Sequence, residues 1–437
     1  MKDITVIGTG YVGLVAAIGL ADFGNRVIGV DIDSEKIERL KEGISPIFEQ
    51  GIEKYLLRNL ESGRLSFTTD IPRAVKDSEV VFLAVGTPPK DDGSADLSYL
   101  EAAADSIADN VDGYTVVVTK STVPVGTNRM LEKRILGRNP RADVDVVSNP
   151  EFLREGRAVQ DFFHPDRTVI GTGSERARKV LRTVYRALNL ISVPFVWCNQ
   201  ETAELIKYAS NAFLATKITF INQMANLADA VGADIHLVAK TMGMDGRISS
   251  KFLHPGPGYG GSCFPKDTKA VVSTGDNFGV DMSLIRSVIS ANEEQKKRVV
   301  TVLREMMGSL EGRRVAVLGL SFKAETDDVR DSPSLTVVEE LLKAGAEVRA
   351  HDPQGADNFR KIIPDTPCFS SSHEALEGAD AMITMTEWNE YRALDLIQAA
   401  GKMKGRVILD ARNLLDPEYA RECGFSYRGL GRGEVSG

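Results

Sequence analysis

Ile4-Thr5-Val6-Ile7 runs into Gly8-Thr9-Gly10-Tyr11-Val12-Gly13, and Val27-Ile28-Gly29-Val30-Asp31 comes after one apolar helical stretch. Ile4–Ile7 is short and β-branched throughout, as a parallel strand buried on both faces should be. Leu14, Val15, Ala17, Ile18, Leu20 and Ala21 then repeat at helical spacing. Strand, glycine turn, helix, strand and acid is the full context of a dinucleotide-binding unit. Gly8 permits the tight turn, Gly10 lets backbone approach a pyrophosphate, and Gly13 lets helix and strand pack closely. The helix N-terminus faces the phosphates. Asp31, 18 residues after Gly13, is placed to accept from both ribose hydroxyls. It would repel a 2′-phosphate, so NAD is expected over NADP.

Outward from this unit the pattern continues. Val80–Val85 leads to Gly86-Thr87-Pro88-Pro89, Val116–Val118 to Ser121-Thr122-Val123-Pro124, and Val144–Val147 to Asn149-Pro150-Glu151. Ligands of open α/β sheets sit beyond the carboxyl ends of strands, so Thr87, Thr122 and Glu151 are expected to converge on one cleft. A second half repeats the theme: Val315–Leu318 enters a turn at Gly319, and Val348-Arg349-Ala350-His351-Asp352 mirrors Val27–Asp31. It lacks G-x-G-x-x-G but offers Lys323, Arg330 and Arg412 near strand ends, which suits a different phosphorylated ligand. The expected fold is α/β: two Rossmann-like doubly wound domains joined by a long central helix and a helical dimerisation segment. The expected domains are 1–198, 199–300 and 301–437. The glycine-rich end, Gly429–Gly437, is expected to be disordered.

Composition narrows the function. A chain of 437 residues implies two or three domains at about 150 residues each. With 43% hydrophobic and 26% charged residues it can fill a real core. A net charge of −8 disfavours nucleic acid or an anionic membrane as partner. No apolar run approaches the ~18 residues of a membrane helix. The N-terminus runs straight into a strand, so no signal peptide is expected. Cysteines 198, 263, 368 and 423 have no close pairing. A cytoplasmic chain with reduced thiols is expected. No metal-ligand spacing occurs.

Between Gln200 and Gly232 strand signals stop. Lys207, Asn211 and Asn222 are embedded in a helix apolar on most faces, which implies burial between domains or subunits. Lys207 and Asn211 are i, i+4 and share a face. They either satisfy each other and nearby backbone, or point together at an oxygen that becomes negative. Gly256-Pro-Gly-Tyr-Gly-Gly261-Ser-Cys263-Phe-Pro265-Lys266-Asp267 is the most informative stretch. Its glycines let backbone approach a ligand, and Pro265 reads as a first-turn proline. Cys263 then sits at a helix N-terminus beside Lys266, both of which favour a thiolate nucleophile. Asp267 could hold a water or orient Lys207.

Five motifs, in order, resemble the nucleotide-diphosphate-sugar 6-dehydrogenases nearly end to end: Gly8–Gly13, Ser121–Gly126, Asn149-Pro-Glu-Phe-Leu-Arg-Glu-Gly156, Gly260–Asp267 and Phe322-Lys323. Within that family the likeness is greatest to members acting on UDP-glucose. The resemblance implies two successive oxidations of the sugar 6-hydroxyl to an acid, two NAD being reduced per sugar. Lys207 and Asn211 would stabilise the developing oxyanion, and a base or water near Asp267 and Thr122 would take the first proton. Cys263 would form a thiohemiacetal and then a thioester, with Glu151 as base for the hydrolytic water. Around NAD it places Tyr11, Val12, Lys36, Thr87, Thr122, Glu155, Lys266 and Arg330 beside the glycines and Asp31. For the nucleotide sugar it implies Glu151, Phe152 and Leu153, Phe252, the loop His254–Gly260 with Tyr259, and Lys323 and Arg412. Arg247 would reach the substrate of a partner subunit in a homodimer or a multiple of dimers. The alternatives are the same chemistry on GDP-mannose or an N-acetylated UDP-hexosamine, a two-electron hydroxyacid dehydrogenase that needs no cysteine, and a non-catalytic nucleotide-binding regulator.

Overall fold

The computed structural model describes residues 1–432. They form two compact units, Met1–Ser210 with Ser273–Val280, and Asn211–Val272 with the chain from Asp281 onward.

The first unit is built on eight strands: β1 (Asp3–Ile7), β2 (Arg26–Val30), β3 (Leu65–Thr68), β4 (Val80–Leu83), β5 (Thr115–Thr119), β6 (Val144–Ser148), β7 (Thr168–Gly171) and β8 (Phe195–Cys198). Their order is β3-β2-β1-β4-β5-β6-β7-β8. All neighbours are parallel except β6 and β7, which meet antiparallel at Ser148 and Gly171. Alternation along β4 shows why the strands are apolar throughout. Val80 and Phe82 enter one core with Leu14 and Ile18, while Val81 and Leu83 enter another with Leu100 and Leu131. Helices cover both faces, so every side chain of the strand is buried.

The second unit holds a five-stranded parallel sheet of β9 (Arg314–Leu318), β10 (Glu347–His351), β11 (Ala381–Thr384), β12 (Val407–Asp410) and β13 (Ser426–Gly429). The order is β10-β9-β11-β12-β13. Val315 and Val317 face one core, Ala316 and Leu318 the other.

The helix Gln200–Val231 spans 32 residues without a break. It is not buried all round in a single chain: Leu205, Phe213, Phe220 and Leu227 are exposed. The expected disorder of Gly429–Gly437 is corrected for its first part. Gly429 ends β13, Gly431 O accepts from Ile235 N at 3.0 Å, and Arg432 bridges to Asp234. Residues 433–437 lie outside the described residues.

Candidate active site

In the first unit the candidate positions come after the carboxyl ends of the strands. Gly8 holds φ +96° and donates its N–H to Val30 O at 2.8 Å. A Cβ at Gly13 would lie 1.8 Å from Gly8 O, whereas one at Gly10 meets nothing within 4 Å. The Gly8–Gly13 contact is thus demanded by packing, and Gly10 leaves an open approach for a ligand. Asp31 Oδ2 accepts from Thr9 N at 2.9 Å, Thr9 Oγ1 at 2.7 Å and Lys36 Nζ at 3.0 Å. Burial alone would raise its carboxyl, but the Thr9 donors and Lys36 outweigh it and leave it below the usual range. Oδ1 takes only a 3.2 Å contact from Asp33 N and keeps capacity for ribose hydroxyls. These residues fit a dinucleotide.

Past β4 and β5, Thr87 Oγ1 donates to Thr122 O at 2.9 Å, so those two do come together. Past β6, Glu151 is buried and pairs with Lys207 Nζ through Oε1 at 2.9 Å. Its other oxygen takes Leu153 N–H. Burial would raise the Glu151 carboxyl; Lys207, the Leu153 N–H and Lys120 hold it below the ordinary value instead. Gly156 N, at the end of this segment, donates to Tyr11 Oη at 2.8 Å and Glu49 Oε2 at 2.7 Å. Tyr11 therefore ties the glycine turn to the segment that carries Glu151 and Glu155, and its hydroxyl is raised by burial and by Glu49.

In the second unit, Cys263 O accepts from Asp267 N at 2.8 Å, which places Cys263 at the N-terminus of the helix Phe264–Asn277. Asn211 Nδ2 donates to Asp267 Oδ2 at 2.6 Å and Lys266 Nζ to Oδ1 at 2.7 Å. Lys207 and Asn211 thus bond to separate carboxylates, Glu151 and Asp267. The charge of Lys266, expected to act on the thiol, is matched by Asp267.

The glycine loop also differs from expectation. A Cβ at Gly260 would meet Asp331 O at 2.3 Å, and at Gly261 the Phe322 ring at 2.8 Å. These glycines let the loop lie against its own chain. Tyr259 exchanges bonds with Asn292, N to Oδ1 at 2.8 Å and Nδ2 to O at 3.1 Å. Phe252 stacks edge-on to Phe264 with 6.3 Å between centroids, and His254 is exposed. Arg412 donates from Nε to Met385 O at 2.9 Å and from Nη2 to Phe322 O at 3.1 Å. Lys323 Nζ lies 5.3 Å from the Phe322 ring centre. Arg330 clasps Asp328 at 2.7 Å and Arg247 clasps Asp245 at 2.6 Å, both on the surface.

Two buried residues escaped sequence reasoning. Glu204 binds Gly126 N at 2.7 Å, Asn128 N at 2.8 Å and Asn128 Nδ2 at 2.6 Å, capping the helix Thr127–Arg138 just beyond Thr122. Lys120 donates to Asn149 Oδ1 at 3.2 Å. Only its place beside Ser121-Thr122 could have signalled it.

The NAD binding domain of the UDP-glucose/GDP-mannose dehydrogenase family matches residues 2–189, its central domain 201–294 and its UDP binding domain 316–417. The chain belongs to that family. As a UDP-glucose/GDP-mannose dehydrogenase it takes NAD as cofactor, and the NAD binding domain carries the Gly8–Gly13 turn and Asp31. Lys323, Arg330 and Arg412 fall in the UDP binding domain. The chain is 52% identical to the UDP-glucose 6-dehydrogenase of Rhizobium meliloti strain 1021, over 98% of this chain and 99% of that one. A UDP-glucose dehydrogenase from the hyperthermophilic archaeon Pyrobaculum islandicum matches with TM-score 0.92 at 41% identity, covering 99% of this chain and 98% of that one. UDP-D-ManNAc dehydrogenase from Pyrococcus horikoshii gives 0.88 at 31%, covering 99% and 100%. Among the described residues no helix is long and apolar enough to cross a membrane.

Proposed function

We propose that this dehydrogenase oxidises UDP-glucose to UDP-glucuronate in two steps, with residues 1–198 holding NAD, 199–300 carrying the cysteine loop, and 301–437 holding the UDP-sugar. The observation that carries the reading is Cys263 at a helix N-terminus, next to a buried Asp267–Asn211 pair. A dehydrogenase that stops at the aldehyde has no use for a nucleophile there. UDP-glucose is favoured over other nucleotide sugars by the full-length relative at 52% identity.

NAD, when bound, supplies the oxidising power of both steps by accepting a hydride from C6 in each. The chain's own groups do the rest. Lys207 and Asn211 donate to the C6 oxygen as it becomes negative. The hydroxyl proton passes through a water held by Asp267 and Thr122. Cys263 Sγ then bonds to the aldehyde carbon, giving a thiohemiacetal whose oxidation leaves a thioester. In hydrolysis a water oxygen bonds to the acyl carbon, the C–Sγ bond breaks, and sulfur leaves as thiolate. The water proton goes to Glu151, whose ionised form the surroundings favour. Tyr11, Val12, Lys36, Thr87, Glu155, Lys266 and Arg330 are assigned to the cofactor. Phe152, Leu153, Phe252, His254, Tyr259, Gly260, Lys323 and Arg412 are assigned to the sugar nucleotide.

The test is stoichiometry. UDP-glucose should yield two NADH per sugar; one would sink the reading. Cys263→Ser should lose steady-state turnover while a substoichiometric burst of NADH remains. Cys198, whose thiol is pushed up by burial, serves as control: Cys198→Ser should keep turnover near wild type.

We also propose a homodimer or a multiple of dimers. Leu205, Phe213, Phe220 and Leu227 recur at seven or eight positions along one helix and are 42–63% exposed, an apolar stripe of the kind that marks interfaces. Arg247 would then serve the neighbour's substrate. A monomer at micromolar concentration in sedimentation would refute this.

A further inference from the structure

Glu151 depends on a partner that has two duties. It is 5% exposed and its ion pair is with Lys207, itself 3% exposed. In the function proposed above, on which this inference rests, Lys207 must donate to the C6 oxygen while Glu151 waits as a base. A buried carboxylate that loses the cation it is paired with takes up a proton, and a protonated Glu151 cannot accept one from water.

The first unit holds a second cation for it. Lys120 comes directly after β5 and is 7% exposed. Its ammonium donates to the neutral amide oxygen of Asn149 at 3.2 Å, two residues ahead of Glu151. Asn149 is fixed independently: Oδ1 also takes Tyr185 Oη at 2.6 Å, and Nδ2 donates to Val169 O at 2.8 Å. Lys120 and Glu151 line one cavity of about 80 Å³, room for several waters. The other charged or titratable groups of its wall include Arg154, Asp161 and Arg167. Arg154 is tied to Asp161 at 2.5 Å and Arg167 lies 3.8 Å over the Phe152 ring; His164, Asp166 and Tyr185 complete the titratable set. Burial pulls the Lys120 ammonium down to about 8, Lys207 pulls the same way, and Glu151 is the carboxylate that holds it up. A lysine this buried is retained at a cost that an apolar residue would not carry.

We infer that Lys120 is a positioning residue for hydrolysis: held against the fixed Asn149 amide, it supplies the counter-charge that keeps Glu151 ionised when Lys207 turns to the substrate.

Lys120→Met removes the charge and keeps the shape; Lys120→Arg keeps the charge. Both are mixed rapidly with UDP-glucose and NAD, and decay of the Cys263 acyl-enzyme is followed by quench and mass spectrometry across pH. Lys120→Met should still give the early NADH burst but accumulate acyl-enzyme. The acid limb of its hydrolysis rate should move up by about one pH unit, since loss of a nearby cation raises a carboxylate. Lys120→Arg should keep the wild-type limb. An unmoved limb in Lys120→Met, with Glu151→Gln unable to hydrolyse its thioester, overturns this inference alone. Glu151→Gln hydrolysing at the wild-type rate overturns the role given to Glu151 and the inference with it. A second measurement needs no change at Lys120. Infrared difference spectra of the unaltered enzyme with UDP-glucuronate at pH 7 should show no carboxylic-acid band that Glu151→Gln abolishes; such a band means Glu151 has taken a proton despite Lys120 and overturns the inference.

Discussion

At Gly8 and again at Gly319 the chain turns in the same way. Gly8 takes φ +96° and donates to Val30 O at 2.8 Å; Gly319 takes φ +105° and donates to His351 O at 2.8 Å. An aspartate closes each corner from the end of the neighbouring strand. Asp31 accepts from Thr9, Lys36 and, weakly, Asp33, and leaves Oδ1 nearly open. Asp352 is buried and saturated. Its Oδ2 takes Leu320 N at 2.7 Å, Ser321 N at 2.9 Å, Ser321 Oγ at 2.8 Å and Trp388 Nε1 at 3.2 Å, while Oδ1 takes Gln354 N at 2.9 Å and Gly355 N at 2.7 Å. The chain beyond the turn differs too. The first corner enters a helix at Tyr11, whereas the second inserts a loop carrying Lys323 and Arg330 before its helix starts at Pro333. One corner keeps its acid for a ligand. The other has turned the same acid into a structural pin, and its loop carries Lys323 and Arg330, the cations proposed above to meet ligands.

The largest effect expected from this contrast is on stability. Asp352→Ala takes the acceptor from six donors, of which Trp388 Nε1 keeps a second partner in Ser321 Oγ at 3.3 Å, and should cost at least about 3 kcal/mol, read as a loss of urea midpoint. Asp31→Ala should cost no more than about 1 kcal/mol in the same assay; equal losses would break the comparison. The next effect is on cofactor choice. The wild type should prefer NAD over NADP by at least about tenfold in kcat/KM, about 1.4 kcal/mol, and Asp31→Ala should erase most of that margin. A preference that survives Asp31→Ala would show that selectivity lies elsewhere. The smallest effect sharpens the role of the open glycine. Gly10→Ala meets no atom of the protein within 4 Å, so its melting temperature should not move, while KM for NAD should rise about fivefold, about 1 kcal/mol. A fall in melting temperature with unchanged KM would make Gly10 structural.

Strands whose residues are buried on both faces were legible in the sequence because they read as continuous apolar runs; β4 is the plain case. β3, at the sheet edge, alternates buried Leu65 and Phe67 with exposed Ser66 and has too few residues to stand out. The glycine turn, Asp31 and the Cys263 helix were legible because each is a local pattern of neighbours. The polar partnerships were not. Glu151 and Lys207 are 56 residues apart, as are Asn211 and Asp267, and Glu204 is 76 from Asn128. No periodicity links such pairs; only the fold brings them together. Lys120 was hidden for the same reason: its place beside Ser121-Thr122 was the one local hint, and its partner Asn149 is 29 residues away. The glycines at 260 and 261 were legible as special but their cause was not: they are needed by Asp331 and Phe322.

The exposed stripe of Leu205, Phe213, Phe220 and Leu227 has a thermodynamic consequence for anyone handling the protein. Whatever covers that stripe binds the folded chain and not the unfolded one, so association and folding draw on the same free energy. If a second copy covers it, resistance to heat and denaturant becomes a function of protein concentration. Each tenfold dilution then removes about 1.4 kcal/mol per mole of dimer, and melting points recorded at different concentrations describe different equilibria.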